Sequence, residues 1–99
     1  MNYNFEWDPD KEKGNLRKHK VSFENAATIF TDPLALTLFD NDHSKFEDRW
    51  ITMGISGNGN ILVVIHTFKE INENNTIIRI ISARKATKRE IQQYQGEGL

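Results

Sequence analysis

The chain has 99 residues, of which 37 % are hydrophobic, and this composition predicts one thin core in a single domain over residues 1–99. The net charge of −1 argues against a protein that coats DNA, because such proteins usually carry a large positive excess. The chain has no cysteine, no apolar run of about 18 residues and no signal peptide at its N-terminus. We therefore expect a cytoplasmic protein without disulfides, thiolate metal sites or membrane spans.

The charges are unevenly distributed along the chain. Residues 11–20 carry five Lys or Arg against one acid, and residues 79–95 also carry five against one. Residues 21–48 carry six acids against one lysine. This pattern predicts a local phosphate-binding surface, with a protein partner elsewhere.

Two helices are predicted near the N-terminus. Asp8 followed by Pro9 is a typical helix start, and the first helix should run over residues 9–19. Its only strongly apolar residue is Leu16, so we expect weak packing. Ser22 is typical of a second N-cap. Core residues of that second helix recur at helical spacing, namely Phe23, Ala26, Ala27 and Phe30.

Alternating and continuous apolar runs predict the strands that follow. The turn at 57–60 indicates a hairpin, and short connections favour antiparallel pairing. The four predicted strands cover residues 34–39, 49–56, 61–66 and 76–83, with a brief extra strand at residues 5–7.

A C-terminal helix is predicted by the capping box of Thr87 and Glu90 and should run to Tyr94. The chain is therefore expected to have an α+β fold, with N-terminal helices on a four-stranded antiparallel sheet and a C-terminal helix. Four cations gather where the last strand meets this helix, as anion sites often do, namely Arg84, Lys85, Lys88 and Arg89.

If each hairpin loop is centred symmetrically, the residues that lie opposite each other on neighbouring strands can be predicted. Arg49, His66 and Arg79 should then cluster on one face, where arginines could bind phosphate and a histidine could move a proton. Because side chains alternate between the two faces of a strand, the sequence leaves open whether Arg84 lies on the same face as these residues. The predicted pairs are Ile51 with His66, His66 with Arg79, Leu38 with Ile51, and Asp40 with Arg49.

Simpler interpretations exist for several of these residues. A histidine in an apolar strand is often a satisfied core residue, and Arg49 could simply pair with Asp40. His43 with Asp40 and Asp42 is too weak a pattern to predict a metal site.

Several segments together resemble the BrnT toxins of bacterial type II toxin–antitoxin modules. The resemblance extends from about residue 5 to residue 94. It rests on Phe5–Asp8, Asn15–Glu24, Ala26-Ala27, Phe30, Asp32-Pro33, Arg49-Trp50, Val63–Thr67 and Ile78–Arg84, with Ala86-Thr87, Glu90 and Tyr94. It implies a RelE-like ribonuclease fold and RNA cleavage that halts translation and growth. It also implies a BrnA-type antitoxin as partner, so that the chain would associate with DNA only indirectly, through the antitoxin.

The resemblance also suggests roles for individual residues. Arg79 and Arg84 would hold the scissile phosphate, Arg49 would add charge, and His66 or Tyr94 would move protons without metal or cofactor. Cations that would steer the RNA backbone are Lys18, Lys20, Lys85, Lys88 and Arg89. Two other interpretations remain, a non-catalytic RNA- or protein-binding module and a small structural protein.

Overall fold

The computed structural model describes residues 2–96. These residues form three helices and six strands, with short 3₁₀ turns at Thr28–Thr31 and Asn41–His43. In chain order the elements are β1 (Asn2–Glu6), α1 (Pro9–His19), α2 (Phe23–Ala27), β2 (Leu36–Phe39), β3 (Trp50–Ile55), β4 (Ile61–His66), β5 (Lys69–Asn72), β6 (Asn75–Lys85) and α3 (Lys88–Tyr94).

The prediction of an α+β fold is confirmed, but the predicted sheet of four antiparallel strands is wrong, because the sheet has six strands. The strands lie in the order β1-β6-β4-β3-β2, and β5 pairs with β6 off this path. β1 runs parallel to β6, and the other pairs are antiparallel. The difference arises because β6 is long enough to pair with β1 and β5 through residues 75–79 and with β4 through residues 80–85.

Helix α1 is attached to the sheet by a polar side chain. Its start is as predicted, since the Asp8 carboxylate accepts a hydrogen bond from the Asp10 N–H at 2.9 Å. Leu16 is 47 % exposed, whereas Asn15 is buried. The Asn15 amide donates to the carbonyls of Val21 at 3.0 Å and Ala83 at 2.8 Å, and its oxygen accepts from the Ala83 N–H at 3.1 Å. One residue therefore satisfies three backbone groups between α1 and β6.

Helix α2 covers the core, as its apolar spacing predicts. Ser22 caps it by accepting from the Asn25 N–H at 3.0 Å, and Phe23 and Ala26 are fully buried. α1 and α2 lie against one face of the sheet. The core on that face consists of Val21, Phe23, Ala26, Ile29, Leu62, Val64, Ile78, Ile80 and Ala83.

The predicted register of the β3–β4 hairpin is wrong by one residue. Ile51 pairs with Ile65, and His66 pairs with Trp50. The turn spans residues 56–60 because the Ser56 N–H donates to the Asn60 carbonyl at 2.8 Å, and Gly59 takes a left-handed φ of +89°. A one-residue shift reverses which side chains face the helices, so His66 and Ile51 lie on opposite faces.

The predicted pairing of His66 with Arg79 is also wrong. His66 pairs with Ile80, whereas Ile65 pairs with Ser82, so a bulge adds one residue to β6 at this point. By contrast, the pairing of Leu38 with Ile51 is confirmed. The Asp40 N–H donates to the Arg49 carbonyl at 2.9 Å, which confirms that these two residues lie opposite each other.

Replacement of Asn15 by Ala should destabilise the protein by about 3 kcal/mol, because it leaves buried backbone groups without partners. Equilibrium urea unfolding followed by circular dichroism measures this change. Asn41→Ala, at an exposed position, is the matched control and should change stability by less than about 0.5 kcal/mol. Equal effects of the two substitutions would contradict a specific role for Asn15.

Candidate active site

The sheet face opposite α1 and α2 carries an apolar floor with charged groups around it. Strands β2, β3 and β4 supply the floor, and α3 lies along one side. A cleft of about 240 Å³ on this open face is lined by Leu36, Leu38, Ile51, Met53, Val63, Ile65, Arg84, Glu90 and Gln93.

Arg49 and Arg79 converge on one carboxylate oxygen. Glu47 Oε1 lies 2.5 Å from Arg79 Nη2 and 3.3 Å from Arg49 Nη2. The hydrogen bond from Arg79, with a smaller contribution from Arg49, lowers the pKa of Glu47. Among the described residues, the buried Nε of Arg49 has no hydrogen-bond partner. The two guanidinium groups can therefore hold an anion between them.

Arg84 lies on the same open face, with its guanidinium paired to α3. Its Nη1 and Nη2 donate to the two carboxylate oxygens of Glu90 at 2.8 and 2.9 Å. This pairing lowers the pKa of Glu90 to about 2 and raises that of Arg84. The capping box is confirmed, because the Glu90 carboxylate also accepts from the Thr87 N–H at 2.8 Å.

Arg84 lies five residues after Arg79. In a regular strand, side-chain alternation would place the two arginines on opposite faces of the sheet. Ile80 and Ala83, next to them, both point into the core. The extra residue at the bulge compensates for the odd spacing. Both arginines therefore lie on the open face, where Arg79 shares a cleft with Asp8 and Lys11 at the start of α1.

His66 lies on the opposite face, inside the core. It is 1 % exposed, and burial lowers its pKa. Its Nδ1–H donates to the Thr67 carbonyl at 2.9 Å, which leaves Nε2 to accept from the Thr52 hydroxyl at 2.6 Å. The Phe30 ring contacts it edge-on at 4.8 Å between centroids. These contacts are those of a satisfied core histidine.

Tyr94 is likewise separate from the arginines. Its hydroxyl donates to the Asp32 carboxylate, and this hydrogen bond raises the pKa of Tyr94. Asp32 also accepts from the N–H groups of Ile55 and Leu34, both at 2.9 Å. Tyr94 therefore anchors the end of α3 to the loop before β2.

A second cleft on the open face holds a histidine that the sequence pattern associated only with a weak metal signal. His43 Nδ1 lies 3.0 and 3.1 Å from the two oxygens of Asp40. The Arg49 side chain binds Glu47, so the simpler interpretation in which it forms an ion pair with Asp40 is not supported. This cleft of about 400 Å³ is lined by Asp40, Asp42, His43, Arg49, Ile51, Ile65, Ile81 and Ser82.

The remaining predicted cations lie at the surface. They lie at the end of α1, at the end of β6 and at the start of α3. All five are exposed, namely Lys18, Lys20, Lys85, Lys88 and Arg89. Within residues 2–96, no helix is long and apolar enough to cross a bilayer.

The chain matches a known family over most of its length. Residues 7–90 match the family described as "Ribonuclease toxin, BrnT, of type II toxin-antitoxin system". The chain belongs to the BrnT family. Membership implies an antitoxin protein as partner. A comparison with curated proteins found no match.

The fold is also that of a solved BrnT structure. The crystal structure of the Brucella abortus ribonuclease toxin BrnT superposes with a TM-score of 0.60 and 22 % sequence identity. The match covers 89 % of this chain and 100 % of the Brucella chain. At this identity the likeness supports the BrnT fold alone.

The Glu90–Arg84 pair should make stability depend on pH. Because the Glu90 pKa falls from 4.5 to about 2 on folding, its contribution is complete above about pH 5 and is lost as the pH falls toward 2. Glu90→Gln should therefore lower the free energy of unfolding by about 2 kcal/mol at neutral pH and by less at pH 3. Urea unfolding at both pH values measures this difference.

Glu73→Gln, at an exposed position in the β5–β6 turn, is the control and should show no such pH-dependent loss. If Glu90→Gln destabilises the protein equally at both pH values, the ion pair does not account for its effect.

Proposed function

We propose that this BrnT-family chain is an endoribonuclease that cleaves RNA, inhibits translation and arrests growth in the cytoplasm. The observation that carries the proposal is the convergence of Arg49 and Arg79 on a single anionic oxygen, on the same face as Arg84. A phosphodiester presents the same kind of anionic oxygen. Arginine binds phosphate with directed, charge-assisted hydrogen bonds.

In this proposal the arginines stabilise charge that develops on the scissile phosphate. RNA would displace Glu47 from Arg49 and Arg79, and a phosphate oxygen would accept from the Nη2 groups that Glu47 leaves. Arg84 would exchange the Glu90 carboxylate for a neighbouring phosphate. The positive charge needed in the transition state then comes from guanidinium groups, and the ribose 2′-hydroxyl serves as nucleophile without a metal ion.

Exposed cations at the end of α1 and near the start of α3 would guide the RNA. Lys18 and Lys20 follow α1, and three further cations lie near the start of α3. Contacts of this kind position the backbone and weaken as salt rises. The 2′-hydroxyl requirement makes DNA a non-substrate. A BrnA-type antitoxin with a DNA-binding domain would neutralise the toxin and connect it to DNA.

His66 and Tyr94 receive different roles in this proposal from those suggested by the family resemblance. His66 would stabilise the core through Thr52 and Thr67, and Tyr94 would hold α3 in place. Neither side chain would touch the scissile phosphate.

Arg79→Ala and Arg84→Ala should each reduce RNA cleavage by about 100-fold or more, since each removes charge that stabilises the transition state. The measurement is the cleavage rate of a labelled, unstructured RNA, with DNA of the same sequence as a second substrate. Arg17→Ala removes an exposed arginine from α1 and should leave the rate unchanged. Thermal melting of each variant checks that it remains folded.

The same assay separates the enzyme from a non-catalytic binding module. Salt-sensitive RNA binding by the unaltered protein, without cleavage and without growth arrest on induction, would support the binding module instead.

A further inference from the structure

Asp40 and His43 form an oriented pair at the end of β2. Asp40 is 6 % exposed, and its N–H is held by the Arg49 carbonyl. The 3₁₀ turn Asn41–His43 brings the histidine back over this carboxylate, because residues three apart eclipse each other in such a turn. The side chain of His43 is 68 % exposed. The pair therefore joins a fixed, buried carboxylate to an accessible imidazole.

This contact determines which ring nitrogen of His43 can do chemistry. A carboxylate next to Nδ1 favours the tautomer with its proton on Nδ1, which leaves the Nε2 lone pair available. Among residues 2–96, no hydrogen-bond partner occupies Nε2. Imidazoles oriented in this way are effective proton acceptors in enzymes.

The imidazole lies next to the proposed phosphate site, because Arg49 and Arg79 line one cleft and His43 lines a neighbouring cleft that also contains Arg49. His43 and Arg49 line the same cleft, and Ile51 and Ile65 form a floor shared with the cleft of Arg84. A phosphate held by Arg49 would place the neighbouring ribose within the cleft that contains His43. His66 cannot serve here, because it is buried on the other side of the sheet.

We propose that His43 is the general base of the RNA cleavage described above and that Asp40 is its positioning residue. This inference rests on the proposed ribonuclease function. His43 Nε2 takes the proton of the 2′-hydroxyl as the 2′-oxygen bonds to phosphorus. The bond from phosphorus to the 5′-oxygen breaks, and that oxygen takes a proton from water. The products are a 2′,3′-cyclic phosphate and a 5′-hydroxyl, and His43 returns its proton to solvent.

The charged groups around His43 must be considered in any pH profile. Asp40 and Asp42 line one side with Arg49, and Lys45 and Glu47 line an adjoining cleft. Any of these groups could alter a rate measured at one pH. The discriminating observation is therefore the loss of one titration from the profile.

The experiment compares single-turnover cleavage of a labelled RNA by the unaltered protein and by His43→Ala, from about pH 5 to 8. The unaltered protein should show a rate that rises with pH through an acidic limb. His43→Ala should be about 100-fold slower or more and should lack that limb. Free imidazole should restore part of its rate, because the position is open to solvent. Imidazole should not restore Arg84→Ala.

Matched variants separate catalysis from structure. His19→Gln alters the histidine at the end of α1 and should keep the full rate. Asp40→Asn should slow cleavage by about tenfold or more but keep the acidic limb, since the imidazole remains. Asp48→Asn removes an acid from the same loop and should behave as the unaltered protein. Melting temperatures confirm that all variants are folded.

The outcomes separate the role of His43 from the proposed ribonuclease function. If the unaltered protein cleaves RNA and His43→Ala keeps its rate and acidic limb, the role of His43 is overturned while the ribonuclease function stands. If His43→Ala is slow and free imidazole does not restore its rate, the role of His43 as general base is also overturned. If the unaltered protein cleaves no RNA, the proposed function fails and this inference fails with it.

Discussion

The arrangement of the charged face depends on one irregularity in the β4–β6 pairing. Side chains alternate between the two faces of a strand, so residues an odd number apart normally point in opposite directions. The bulge between the Ile65 and His66 pairs inserts one residue into β6. Because of this extra residue, Ile80 and Ala83 both point into the core, whereas Arg79 and Arg84 both point to the open face. A regular strand would place one of these arginines under the helices, where its charge would be costly.

Carboxylates pair with all three arginines of the open face. Glu47 bridges Arg49 and Arg79, and Glu90 binds Arg84 through both oxygens. These contacts hold flexible guanidinium groups in fixed orientations on an open surface. They also compete with any incoming anion, so binding of an anion would exchange one set of ion pairs for another. Net affinity then depends on the difference between the two sets, which is smaller than either alone.

Local features of the fold could be predicted from the sequence, and features set by long-range pairing could not. The caps at Asp8, Ser22 and Thr87 were predictable because each involves residues two or three apart. The β2–β3 register followed from its connecting loop. The β3–β4 register did not, because Ser56 joins the turn and adds one residue to it. For the candidate site, the sequence singled out Arg49, Arg79 and Arg84, whose guanidinium groups are suited to phosphate, and their role stays a prediction. The placement of His66 in the core, and of His43 over a buried Asp40, required the register and the burial.

The attachment of α3 has a consequence for motion. No residue of this helix is buried, and it is held at one end by Glu90 and at the other by Tyr94. Segments with little buried apolar surface open at low free energy, without unfolding of the core. Amide hydrogens of α3 should then exchange with solvent through local opening, ahead of those in β4 and β6. In each such opening Arg84 loses its carboxylate partner. The positive charge that the open face presents to an anion therefore depends on whether α3 is docked.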